Sequence, residues 1–73
     1  MTNKQKYDHI SEQIMCINSQ ILKNFPHKIT FEARGSGEYC IILAKKVYQF
    51  ATLGDVMTFL AFILDLFSIA LSK

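Results

Sequence analysis

His9, Glu12 and Cys16 recur at spacings of three and four, so on a helix their side chains share one stripe and are close enough to hold a metal or form a nucleophilic dyad. Neither chemistry is expected. The stripe borders a row of isoleucines, which makes Cys16 a boundary residue and His9 with Glu12 a solvated pair. A metal would also need His27 or Cys40 to converge, and no spacing here matches a zinc module. Among the carboxylates, Asp8 and Glu12 lie one turn apart on an exposed face and Glu32 and Glu38 flank a turn, with no pocket around either pair to support general acid–base work. The glycine-containing run Arg34-Gly35-Ser36-Gly37 is too short for a phosphate loop and leads into a strand, so it lacks the helix N-terminus that binds anions. The sequence therefore assigns no catalytic residue, no metal ligand and no cofactor.

The remaining chemistry is charge and thiol. Seven Lys and one Arg against six acids give a net charge of +2, too small to demand a polyanionic partner. Lys28, Arg34, Lys45 and Lys46 are the residues that a nucleic acid would have to use, as a scattered patch at strand ends. Cys16 and Cys40 fall on different elements and outside any CxxC pair, the usual usage of buried, reduced cysteines. The opening residues MTNKQKYDHI are polar and lead straight into a helical pattern without a leader's apolar stretch, so a cytoplasmic location is the expectation.

The elements that must carry these residues follow from period. Tyr7, Ile10, Ile14, Ile17 and Ile21 recur at three and four, with Leu22 broadening the stripe, which predicts an amphipathic helix over about residues 3 to 24. Thr2 and Gln5 stand in capping-box relation, and Pro26 stops the helix by disfavouring the α conformation at Phe25. From residue 28 the period changes to two. Ile29, Phe31 and Ala33 alternate with Lys28, Thr30, Glu32 and Arg34, a turn follows at 35–37, and 39–44 reads as a more apolar strand. A three-residue loop with glycine in the left-handed position places Ile29, Phe31 and Ala33 on one face with Tyr39, Ile41 and Leu43. Val47 to Phe50 predicts a third strand. A two-residue connection at Lys45-Lys46 would pair Leu43 with Tyr48 and Ile41 with Phe50, although lysines suit so tight a turn poorly. Thr52 and Asp55 form a second capping box opening a last helix, and Lys73 suits its negative pole.

The expectation is an α+β protein, a single α-β-β-β-α domain over residues 1–73, with a three-stranded antiparallel meander and both helices packed on one face. The element order is similar to that of the double-stranded-RNA-binding domain, where a basic cluster opens the second helix and grips phosphates. Here that segment reads Thr52-Leu53-Gly54-Asp55, with no base and one acid.

The last helix is the feature that points to function. Between Val56 and Leu71 only Thr58, Asp65 and Ser68 are not apolar, and at 100° per residue Thr58, Ala61, Asp65, Ser68 and Ser72 fall within roughly 80°, leaving an apolar arc of roughly 280°. A sheet and one neighbouring helix cover about half of such a circumference. The surplus implies a partner, and a domain this small gains stability from one. Membrane insertion is disfavoured, since sixteen residues rise about 24 Å against a hydrocarbon core of roughly 30 Å and Asp65 sits near the middle. The expectation is therefore a non-enzymatic module, an adaptor, regulator or inhibitor of another protein, acting as a homodimer through Phe59, Leu60, Ile63, Leu64, Phe67 and Leu71. A mixed outer sheet face around Glu32, Arg34, Ile42 and Val47 is the other candidate surface.

Overall fold

The computed structural model describes the backbone of residues 2–71 and the side chains of residues 2–68. Helix α1 (Asn3–Cys16) continues through a π-helical turn (Ile17–Ile21) and is followed by β1 (Thr30–Gly35), β2 (Glu38–Leu43), β3 (Lys46–Phe50) and α2 (Leu53–Leu71). The strands form one antiparallel sheet in the order β1-β2-β3. Helix α1 packs on β1 and on α2, while α2 packs on β2 and β3, so both helices cover the same sheet face. The α+β architecture is the one the periodicity dictates.

The start of α1 follows its sequence signature. The Gln5 N–H donates to Thr2 Oγ1 at 3.2 Å and the Thr2 N–H donates to Gln5 Oε1 at 2.8 Å, so two otherwise orphaned donors are satisfied. Its end does not follow. The α-helix stops at Cys16 instead of continuing to 24, and the Leu22 N–H donates five residues back to the Ile17 carbonyl at 2.9 Å. The reason lies in Asn18. In this turn its carboxamide donates to the Ile29 carbonyl at 3.0 Å and accepts from the Ile29 N–H at 2.8 Å. A strand-like pair of bonds is thus made by one side chain, and an uninterrupted hydrophobic stripe gives no hint of it. Lys28 then closes the helix end, its ammonium donating to the carbonyls of Leu22 and Lys23, where a cation also suits the negative pole.

In the first hairpin, Phe31 pairs with Ile41 and Ala33 with Tyr39, the faces expected from the three-residue loop. Gly37 takes a φ of 76° and the ladder bulges between Ala33 and Gly35. The second hairpin differs from expectation. Its two-residue turn is Ala44-Lys45, not Lys45-Lys46, and the pairs are Ile41 with Tyr48 and Tyr39 with Phe50. A slip of two residues leaves every side chain on its expected face. The turn is tight in spite of its composition: Ala44 and Lys45 adopt φ of 51° and 71°, the left-handed pair that a type I′ turn requires.

The core sits between the sheet's covered face and the two helices. Ile10 and Ile17 of the first helical segment, Ile29, Ile41 of β2, and Leu53, Val56 and Leu60 of α2 form it, with Ile10, Ile41, Val56 and Leu60 fully excluded from water. Ring contacts extend it on either side, Tyr7 on Phe31 at 5.9 Å and Phe59 on Phe50 and Tyr48 at 5.1 and 5.3 Å. Helix α2 opens with Thr52 as its cap, whose hydroxyl accepts the Asp55 N–H at 3.1 Å, the hydroxyl half of the expected box. Ser72 and Lys73, expected in the polar stripe and at the helix pole, lie outside the described residues.

Candidate interaction surface

The α1 stripe of His9, Glu12 and Cys16 is assembled by the helix, but His9 and Glu12 are exposed and Cys16 is half-buried at the edge of the core. Among the described residues no group of three or more His, Cys, Asp and Glu side chains is placed to hold a metal ion. Both cysteines are free. Cys40 is buried on the sheet face away from the helices, between Glu32 of β1 and Gln49 of β3 in the ladder.

The four basic candidates do not converge. Lys45 and Lys46 stand at the β2–β3 turn and Lys28 beside that end of the sheet, but the Lys28 ammonium is engaged by main-chain carbonyls. Arg34 lies at the opposite end, its guanidinium 3.5 Å from Glu32. An open recess of about 400 Å³ there is lined by Arg34, Glu38, Cys40 and Gln49 together with Gly37, Tyr39, Phe50 and Ala51. Arg34 and Glu38 bring opposite charges to it, so it offers neither a cationic nor an anionic ligand a net field.

For α2, the expected stripe of partner-contacting residues needs correction. Leu60 is fully buried in the protein's own core, and Phe59, Ile63, Leu64 and Phe67 are half-buried. The side chain of Leu71 lies outside the described residues. The freest apolar side chains are instead Phe62 and Leu66, 60% and 52% exposed. At 100° per residue Phe62 lies about 40° and Leu66 about 80° from the edge of the polar wedge, where Asp65, Thr58 and Ser68 are exposed as expected and Ala61 is half-covered.

Geometry explains which flank is left open. Helix α2 lies over β2 and β3 with α1 on one side, so the covered arc runs from the sheet to α1, and the Gln13 carboxamide crosses that seam to donate to the Met57 carbonyl at 3.2 Å. The other side of α2 overlooks the free edge of β3. Asp55, Phe59, Phe62 and Leu66, spaced four, three and four apart, line that side. Phe59 rests on Tyr48, itself 37% exposed, which joins this flank to the edge strand. The result is one continuous apolar strip from β3 onto α2. Distance from the polar wedge does not single out Phe62 and Leu66 in the sequence: at 100° per residue Leu60 and Leu66 lie equally far from its edges, yet Leu60 is fully buried and Leu66 is exposed.

No described helix is long and apolar enough to cross a membrane. Comparison with protein-family models, with curated proteins and with solved structures gives no match.

Proposed function

We propose that this chain is a small non-enzymatic interaction module of the cytoplasm, an adaptor, regulator or inhibitor that works as a homodimer and by occluding or organising another protein. The observation that carries the reading is the strip made by Tyr48, Phe59, Phe62 and Leu66, in which two large side chains stay more than half exposed beside a free strand edge. Scattered apolar residues on a surface are ordinary; a row of them at helical spacing, continuous with an aromatic on the neighbouring strand, is the form a docking surface takes. The separation of Arg34 from Lys45 and Lys46, and the engagement of Lys28, take support from the nucleic-acid alternative. Affinity capture from the source cell tests the reading. Wild-type protein is expected to retain a protein partner that Phe62→Asp loses, with both proteins melting within a few degrees of each other. Equal capture by the two would remove this surface from the function.

A further inference from the structure

The two edges of the sheet are built differently, and the difference identifies an occupant for the strip. A two-residue turn makes Leu43 and Lys46 a hydrogen-bonded pair, and the alternation of an antiparallel ladder then turns Tyr48 and Phe50 toward β2 and leaves the N–H and C=O of Val47 and Gln49 pointing outward. By the same alternation β1 turns Ile29, Phe31 and Ala33 outward. That edge is closed: the Asn18 carboxamide takes both main-chain groups of Ile29, Tyr7 lies on Phe31, and the bulge ends the regular ladder after Ala33. The β3 edge carries no such device among the described residues. It has no proline or bulge, and its only charge is Lys46 at the strand end.

Resting on the interaction reading above, we propose that β3 pairs antiparallel with β3 of a second copy about a two-fold axis at Tyr48, giving a continuous six-stranded sheet with the two α2 helices side by side. Three features fit this occupant. This register uses every outward group, since Val47 pairs with Gln49 of the other copy on both sides of the axis, while the two Tyr48 residues form the close, non-bonded pair at the centre. Helix α2 touches both β2 and β3, so it lies about half a strand spacing in from the edge, and the axis therefore sets the two α2 axes about 10 Å apart, the distance at which helices pack. Phe59 and Phe62 then fill the seam. Charge also complements: the antiparallel register carries Lys45 and Lys46 of each copy to the end where the other copy's chain enters α2 with Asp55 on the facing flank.

The exposed parts of Val47, Tyr48, Phe62 and Leu66 amount to roughly 400 Å² per copy, so with the edge backbone the pair buries about 1,000 Å², the lower limit for a specific interface. The dimer is accordingly weak and dissociates on dilution.

Light scattering after size exclusion, over a series from micromolar to millimolar protein, tests this with two variants. Val47→Pro removes an outward donor and leaves the β2 ladder intact, as proline is tolerated at an edge. Phe62→Asp charges the helix seam. Wild-type mass is expected to rise from monomer to dimer, and each variant to move the midpoint up at least about tenfold. A wild-type monomer throughout overturns the second copy as occupant. A dimer sensitive to Phe62→Asp but not to Val47→Pro overturns strand pairing and leaves the helix surface standing. Sensitivity to Val47→Pro alone supports the pairing and removes the α2 flank from it. If Val47→Pro does not fold, amide exchange on the wild type decides. Val47 and Gln49 are expected to gain protection with concentration while Tyr48 and Phe50 are protected throughout, and fast exchange of Val47 and Gln49 in the dimeric range overturns the proposal.

Discussion

Asn18 shows how much one side chain contributes to this fold. A carboxamide that replaces both ladder bonds of Ile29 fixes the path from the π turn into β1, and Ile29 is itself buried. Asn18→Ala leaves two main-chain groups in a partly buried place without partners, and a loss of about 1 to 3 kcal/mol is expected in urea unfolding. Gln13 is the opposite case. Its Nε2 ties α1 to the Met57 carbonyl, but its buried Oε1 has no partner, so Gln13→Met, which keeps the volume and removes the orphaned acceptor, is expected to be neutral or stabilising by up to about 1 kcal/mol in the same measurement. Among the described residues Tyr7 carries the one resolved perturbation of a titrating group. Loss of water around its phenol, with Tyr39 beside it, holds its ionisation above the ordinary 10.0. The folded state therefore favours the neutral phenol. Its contribution is fully present below pH 10.0 and is lost as pH rises through the elevated value, so Tyr7→Phe is expected to unfold with a smaller alkaline decline than wild type. An equal decline in both would assign the alkaline transition to other groups.

At the scale of elements, the periodicities of the sequence carry over well and the connections less so. The alternation of Ile29, Phe31 and Ala33 with polar residues, and the isoleucine stripe of α1, reflect burial on one face, and burial is what the sheet and helix enforce. Turns answer to backbone conformation, which composition signals only when glycine or asparagine is used. Gly37 gave that signal and its hairpin has the expected faces. Ala44 and Lys45 did not, and they occupy left-handed conformations at a cost of roughly 1 to 2 kcal/mol per residue that the flanking ladder sustains. Replacing them by Asn-Gly is expected to raise stability by about 1 to 2 kcal/mol with unchanged fold, read from the urea midpoint at constant slope. A lower midpoint would mean that the side chains of Ala44 and Lys45 contribute more than their backbone strain costs.

For the whole molecule, two residues of the same helix separate stability from association. Leu60 is enclosed by the core, so Leu60→Ala is expected to cost about 2 to 5 kcal/mol in unfolding at any protein concentration. Phe62 is open to solvent, and its replacement is expected to change concentration-dependent mass with little effect on the monomer's melting. The apolar arc of α2 was legible from residue types alone, because the small number of polar positions is a property of the sequence. Which part of that arc remains free was not. A wheel projection gives angles about the helix axis but no origin, and only the placement of α2 over β2 and β3, with α1 on one side, turns Leu60 inward and leaves Phe62 and Leu66 above the edge of β3. The same holds for the sheet. Period two and the first glycine turn determine that there are strands and which residues share a face, since those are local consequences of pleat and turn conformation. That one edge is closed by Asn18 from a helix eleven residues away while the other stays open is a long-range fact, and only the tertiary structure decides it.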